Sequence, residues 1–303
     1  MHGQDPGACP PPDAEVLRAM PLASRTALLC RHFSLHAVKS LGQNFLIDDN
    51  LARKIARAAL EPGPRRVLEI GPGLGALTGH LAASSLPMEA FEKDPKLEAP
   101  LRLLLTGLGN VALHIGDFLA ADLTPYTSAQ LAVVGNLPYY ITTPILERLF
   151  EMDPPAGTLV VTVQREMGQR LRARAGSNDY SSLSVYAEYC LAAVEEVCRL
   201  GPAVFSPRPG VESVALRLTP RRSAPQGVAS RQALFRVVRA AFGYRRKTLR
   251  NALAHSPEVG LDAGQAAELA LSVGIDPGSR GETLTLEQFI ELGNALVRYG
   301  GAS

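Results

Sequence analysis

Four cysteines in 303 residues is a small allotment, and Cys9, Cys30, Cys190 and Cys198 show no C-x-x-C spacing. That excludes the disulfide framework of a small secreted domain and a cysteine zinc site. The thiols read as reduced, which places the chain in the cytoplasm. No run of about 18 apolar residues occurs, so no membrane span is expected. The opening "MHGQDPGACPPPD" has neither the basic start nor the apolar stretch of a signal peptide. The six histidines are scattered, and no residues pair as nucleophile and base, so no metal and no covalent nucleophile are expected. Lysine is scarce too: 5 against 26 arginines.

What is present is ordinary globular composition, 46% hydrophobic and 20% charged. The length suffices for a large core and a smaller second domain. The net charge of +2 is unevenly spread: −3 over residues 1–160, +10 over 161–255 and −5 over 256–303. A segment with ten excess positive charges points to a polyanion partner. Arginine suits that role, because its fork grips phosphate and its plane stacks on bases.

Residues 1–20 are rich in Pro, Gly and Asp and read as a disordered tail. Met20, just ahead of the helical pattern "SRTALLCRHF", is a candidate for the native start; the intact mass of the native protein tests this. From about residue 48 the pattern alternates. "DDNLARKIARAAL" sets Leu51, Ile55 and Ala59 on one helical face. "RRVLEI", "MEAFE", "VALHIGD", "LAVVGN" and "TLVVTVQ" read as strands. "GALTGHLAAS", "PKLEAPLRLLL" and "TPILERLFEM" read as the helices between them. Such alternation implies an α/β domain with a parallel sheet covered on both faces. "VEEVCRL" and "SVALRLT" look like later strands, suited to an antiparallel edge. "TPRRSAPQGVAS", from Thr219 to Ser230, is a linker by composition. Helical patterns follow, including "RQALFRVVRAAF" and a capping box at Thr285 and Gln288. The expected domains are 21–219 and a small helical one, 220–303.

Between the first strand and its helix stands "GPGLGA". Gly71, Gly73 and Gly75 let backbone approach a ligand at the strand's carboxyl end. Glu92 closes the second strand, where a carboxylate can take the hydroxyls of a ribose. Asp117 closes the third, where a carboxylate can accept the amino hydrogens of an adenine. The fourth strand ends in "GNLPYY". Pro138 holds Leu137 extended, so the Asn136 amide oxygen and the Leu137 carbonyl can both accept from one exocyclic amino group. Tyr139 can stack on the ring that carries it. The cofactor is thus a nucleoside with a charged tail, and NAD and S-adenosylmethionine both fit. The dehydrogenase reading lacks a placeable acid–base residue for hydride transfer.

These segments, with "LGQNFLIDDN", "FEKD", "GDF", "VQREM", "FSPRPGVES" and "AFGYRRKTLRNAL", resemble the KsgA/RsmA family of 16S ribosomal RNA adenine dimethyltransferases. They run in family order from about residue 39 to 254. The resemblance implies a Rossmann-like, class I S-adenosylmethionine-dependent methyltransferase domain. Its mostly parallel, seven-stranded sheet would be followed by an all-helical C-terminal domain that binds RNA. It implies that Asn44 and Leu46 line the methionine end of the cofactor, with Gly71 and Gly73 against it. Glu92 would bind its ribose and Asp117 its adenine. Asn136, which would also border the cofactor, and the Leu137 carbonyl, set by Pro138, would hold the target amino group, and Tyr139 and Phe205 would sandwich the target adenine. Arg208, Arg245, Arg246, Lys247 and Arg250 would meet RNA phosphates. The implied substrate is a pair of adjacent adenosines in the 3′-terminal hairpin loop of 16S RNA, within an immature 30S subunit, and the implied enzyme is a monomer. One position departs from the family pattern: Gly210 stands where a lysine is usual, and Arg208 is the nearby replacement. Two rivals remain. An Erm-type enzyme would act on 23S RNA, but "NLPY", "RRKTLRNAL" and the long C-terminal part argue against it. A non-catalytic assembly factor would leave the pocket unused.

Overall fold

A computed structural model describes residues 13–38, 41–244 and 246–300. The chain divides into two compact units. The first runs up to Ile145 and adds Ala156–Gln164 and Glu195–Arg217. The second takes Leu146–Pro155, Arg165–Val194 and the chain from Leu218 onward. Residues 146–155 and 165–194 therefore group with the C-terminal helices, so the division is interleaved and not a single cut.

A sheet of seven strands dominates the first unit. Its strands are β2 (Arg66–Ile70), β3 (Met88–Glu92), β4 (Val111–Ile115), β5 (Leu131–Asn136), β6 (Thr158–Gln164), β7 (Leu191–Leu200) and β9 (Ser213–Pro220). The order is β4-β3-β2-β5-β6-β9-β7, and the first five run parallel. β2, β3, β5 and β6 are buried along almost their whole length because helices cover both faces of a parallel sheet. The order reverses between β2 and β5, and parallel sheets bind ligands beside the carboxyl ends at such a point. A separate antiparallel pair joins β1 (Phe45–Leu46) to β8 (Phe205–Ser206).

Helix α3 (Asp49–Leu60) starts where the Asp48 side chain accepts the Leu51 N–H, and it buries Ala52, Ile55, Ala56 and Ala59. The helix after the glycine turn is shorter than its sequence pattern suggests: α4 spans only Thr78–Ala82. Gly75 has φ +77°, which no right-handed helix accommodates, so the turn consumes the first residues of the pattern. In α5 (Glu98–Leu105), Pro100 falls within the first turn, where its missing N–H costs nothing.

Part of the tract expected to be disordered is ordered. Residues Ala14–Ala19 form α1, capped by the Asp13 side chain, and α2 (Leu22–His32) follows. Leu17 and Leu29 are fully buried in one cluster with Phe45, Leu74, Leu97, Leu101 and Leu104. Residues 1–12 lie outside the described residues.

The second unit is helical, with α6 (Thr142–Phe150) entering it and α7 (Arg165–Arg170) following β6. Its core joins α8 (Ser182–Cys190), α9 (Arg231–Gly243), α10 (Leu249–His255), α11 (Ala263–Leu271) and α12 (Leu286–Gly300). Tyr186 and Phe235 meet at 4.4 Å between ring centroids. Gly293 of α12 lets that helix approach α9: a Cβ there would stand 2.9 Å from the Leu234 Cα. Thr285 and Gln288 form the expected capping box, with bonds of 3.0 and 3.4 Å. Helix α8 has no periodic signature in the sequence, since Leu183, Ser184, Val185, Tyr186, Ala187 and Tyr189 are all buried.

Candidate active site

The carboxyl ends of β2, β3 and β5 open into a cavity of about 1020 Å³, counting its open mouth. Its walls are the loop Leu41–Leu46, the glycine turn, the ends of β3 and β4, and the segment Asn136–Ile141. β2, β3, β4 and β5 each bring a polar group to this edge, Glu69, Glu92, Asp117 and Asn136, because parallel strands all end on the same side.

Gly71, Gly73 and Gly75 have φ of +69°, +60° and +77°. Residues with a Cβ rarely take that conformation, so the turn requires glycine. A Cβ on Gly73 would also stand 3.2 Å from the Phe45 ring. Glu92 is 6% exposed, and its two oxygens accept from the Gly73 N–H at 3.0 Å and the Asp94 N–H at 2.8 Å. Burial raises its pKa, while those two backbone bonds pull the other way. A carboxylate has about four acceptor positions, so Glu92 retains capacity for ligand hydroxyls. Asp117 caps a short turn by accepting the Leu119 N–H at 2.9 Å, and pairs with Lys93 Nζ at 2.8 Å.

At the end of β5, Asn136 Nδ2 donates to the Asn44 carbonyl at 3.0 Å. That bond turns the amide so that Oδ1 is the face left for a ligand donor. Asn44 is itself braced, its Nδ2 donating to the Gly42 carbonyl at 3.1 Å. The Leu137 N–H donates to the Thr162 carbonyl of β6 at 3.1 Å, and its side chain is buried. Pro138, at φ −60° and ψ 130°, follows. The Leu137 carbonyl therefore sits between a strand bond and a ring with fixed φ. Tyr139 is half-buried, with its hydroxyl 2.7 Å from Ser213 Oγ. Burial raises its pKa, opposed by that hydrogen bond.

The structure thus brings Asn44, Leu46, Gly71, Gly73, Glu92, Asp117, Asn136, Leu137, Pro138 and Tyr139 to one cavity. It does not bring Phe205 there. That ring is 2% exposed, in the β8 segment that pairs with Leu46, and it belongs to the hydrophobic core. An apolar ring on a strand next to α3 gains more from core burial than from facing a wet cleft. Arg208 lies on the exposed loop after β8. Arg246, Lys247 and Arg250 belong to the second unit, with Arg246 and Arg250 exposed. Lys247 Nζ is 2.7 Å from His255 Nε2 and 5.3 Å from the Tyr244 ring centroid. Arg245 lies outside the described residues.

Three further residues emerge only in three dimensions. Glu69 lines the cavity at 1% exposure, and its Oε2 has no partner among the described residues. Desolvation pushes its carboxyl up to about 8, opposed by the Thr78 side chain and aided by the nearby Glu92 charge. The signal was an acid interrupting the apolar run "VLEI" two residues before Gly71. Gln43 ties the first loop to β3, donating to Asp94 Oδ2 at 2.7 Å while accepting the Val38 N–H. Tyr140, half-exposed, lays its ring 3.2 Å from where a Gly42 Cβ would stand. Lys93 pairs with Asp117, so Glu92 is the acid on the walls that no cation balances, and the cavity favours a ligand with positive charge.

The model of the ribosomal RNA adenine dimethylase family matches residues 35–296. The ribosomal RNA small subunit methyltransferase A of Geobacillus thermodenitrificans is 42% identical over 280 residues, covering 90% of this chain and 95% of that protein. Its counterpart from Moorella thermoacetica is 44% identical over 283 residues, covering 90% and 96%. Among solved structures, a dimethyladenosine transferase from Plasmodium falciparum superposes with a TM-score of 0.65 at 22% identity, covering 84% of this chain and 98% of that one. The 23S rRNA methyltransferase ErmE superposes with a TM-score of 0.57 at 28% identity, covering 84% and 100%.

Proposed function

The chain belongs to the ribosomal RNA adenine dimethylase family, and from that premise we propose that it dimethylates N6 of two adjacent adenosines in the 3′-terminal hairpin loop of 16S RNA. The observation that carries this reading is the Asn136–Tyr139 segment at the rim of a cavity with nucleoside-type acceptors. The relatives named for the small subunit favour 16S over 23S RNA.

The residues fit S-adenosylmethionine. Gly71 and Gly73 leave room for close approach; Glu92 would hold its ribose hydroxyls and Asp117 its adenine amino group. The orphaned Glu69 Oε2 suits a cationic tail. Asn44 and Leu46, both on the cavity wall, would line that end. When bound, this cofactor supplies a sulfonium-activated methyl group, so the protein's task is positioning.

Adenine N6 is a weak nucleophile because its lone pair is delocalised into the ring. Asn136 Oδ1 and the Leu137 carbonyl accept its two hydrogens and favour a tetrahedral nitrogen with a free lone pair. Pro138 keeps the second acceptor aimed. Tyr139 stacks on the base and offsets part of the cost of leaving the RNA stack. A loop adenosine is already partly unstacked. The enzyme acts as a cytoplasmic monomer on an immature 30S subunit. Arg245, Arg246, Lys247 and Arg250 of the C-terminal helical part, and Arg208, track phosphates. No helix among the described residues is long and apolar enough to cross a membrane.

The test is methyl transfer from labelled S-adenosylmethionine to unmethylated small subunits, with large subunits alongside, mapped by reverse-transcription stops. Dimethyladenosine near the 3′ end of 16S RNA is expected; label in 23S RNA alone would transfer the assignment to the Erm type. In the same assay Asn136→Ala should lose at least about 100-fold in rate. Its cofactor affinity, by calorimetry, should stay within about threefold. Equal losses in both would refute the division of labour.

A further inference from the structure

Helices α1 and α2 precede residue 35, where the family match begins. Neither lines the cavity, yet α2 is tied to its glycine turn and α1 to the end of the helix that packs on that turn. Arg25 of α2 is 7% exposed, and its Nη2 donates to the Gly75 carbonyl at 3.0 Å. The Gly79 N–H, the helical partner of that carbonyl, is 3.5 Å away. The guanidinium is therefore its shorter and charge-assisted partner. Gly75 is also pressed from α5, where Leu104 Cδ1 lies 3.0 Å from the site of a Cβ. The Leu104 carbonyl in turn accepts from Arg18 Nη1 at 2.7 Å, and the same nitrogen reaches the Thr106 carbonyl at 2.9 Å. Two arginines thus hold the turn itself and the helix end that packs on it.

Burying a guanidinium costs free energy that an apolar side chain would not. Burial lowers the Arg25 pKa, and Asp49, shared with Arg53 and His80, only partly offsets it. Nε of Arg25 is buried without a partner among the described residues. Packing alone does not account for a charged group here, but holding the carbonyl of a conformationally free glycine does.

We propose that Arg25 is a positioning residue for the cofactor: through the Gly75 carbonyl it holds the Gly71–Gly75 turn in its ligand-accepting, positive-φ form. The proposal rests on the S-adenosylmethionine reading of the cavity. The turn has three glycines at positive φ, and glycine moves readily between positive and negative φ, so the turn keeps one shape only where something pins it. Pinning it from outside the cavity lowers the ordering cost of binding without touching the ligand.

The experiment is calorimetry with S-adenosylhomocysteine on the full chain, wild type, Arg25→Met and Arg25→Lys, with steady-state transfer to small subunits. Arg25→Met should raise the Kd and the cofactor KM about tenfold, with kcat at saturating cofactor changed less than about twofold. Arg25→Lys should recover part of the affinity. An unmoved Kd with a lower melting temperature would make Arg25 a purely structural residue and overturn the proposal. Should Arg25→Met not fold, amide exchange in Arg25→Lys decides. Faster exchange at Gly75 and Gly79 with weaker binding supports the role, and no change in either overturns it. Absence of binding in the wild type would overturn the cavity reading and this proposal with it. Wild-type binding that Arg25→Met leaves intact overturns this proposal alone.

Discussion

Glu69 carries a folding cost as a carboxyl buried in the cavity wall. Its carboxyl has a reference pKa of 4.5 and is pushed to about 8 by burial. Below about pH 4.5 both the folded and unfolded chains hold the proton and nothing is lost. Between the two values the unfolded chain releases a proton that the folded chain keeps, so stability falls as pH rises, and levels off above about 8. Glu69→Gln lacks this proton. Its stability relative to wild type should therefore grow from pH 5 to pH 8, by an amount on the order of 3 kcal/mol. Urea unfolding at the two pH values measures it, and a pH-independent difference would mean that the carboxyl is charged in the folded chain. A bound cation would supply the partner that the Oε2 lacks. Glu92 carries a similar burden, but two backbone N–H groups already share its charge.

At the scale of the element, strand β5 is the precision part. It is buried throughout, except that Asn136 at its end is half-exposed. Gly135 immediately before it pairs with Ile70 of β2. A Cβ on Gly135 would stand 2.7 Å from the Ile70 carbonyl oxygen and 2.9 Å from Leu137 Cδ2. The first contact is with backbone, which cannot swing aside. Gly135→Ala should therefore separate β5 from β2, cost about 1–3 kcal/mol of stability and displace Asn136. Urea denaturation and single-turnover transfer should both register the loss; wild-type values in the two would show that the strand end has slack. The glycine turn, by contrast, is held from outside, by Arg25 and by Leu104. Strand ends place the acceptors, and helices ahead of the matched segment brace the loop between them.

At the scale of the whole molecule, charge is segregated by sequence segment, with the excess of ten positive charges confined to residues 161–255. Phosphate contact by such residues releases counterions, so binding weakens with salt in proportion to the contacts made. Replacing Arg246, Lys247 or Arg250 with alanine should each lower the slope of log affinity against log salt by about 1 for small-subunit RNA. Filter binding over a salt series measures this, and three wild-type slopes would remove these residues from the RNA contact.

The strand–helix alternation, the glycine turn and the acids at strand ends were legible in the sequence because each is a local pattern. Parallel strands buried on both faces must be apolar runs, and a ligand-binding edge must break those runs with polar residues at their ends. The capping box at Thr285 and Gln288 was legible for the same reason, since its partners lie three residues apart. Helix α8 was not, because a helix buried all round has no periodicity to read. Nor was the burial of Phe205, which depends on β8 pairing with β1 across more than 150 residues of chain. Glu69 stood in plain view as an acid inside an apolar strand, but only tertiary burial decided that it has no water. The sequence by itself determined which groups reach the carboxyl edge of the sheet. The tertiary structure decided which of them face the cavity, which are desolvated, and that Arg25, 50 residues before Gly75, holds the turn, because those outcomes follow from packing between segments far apart in the chain.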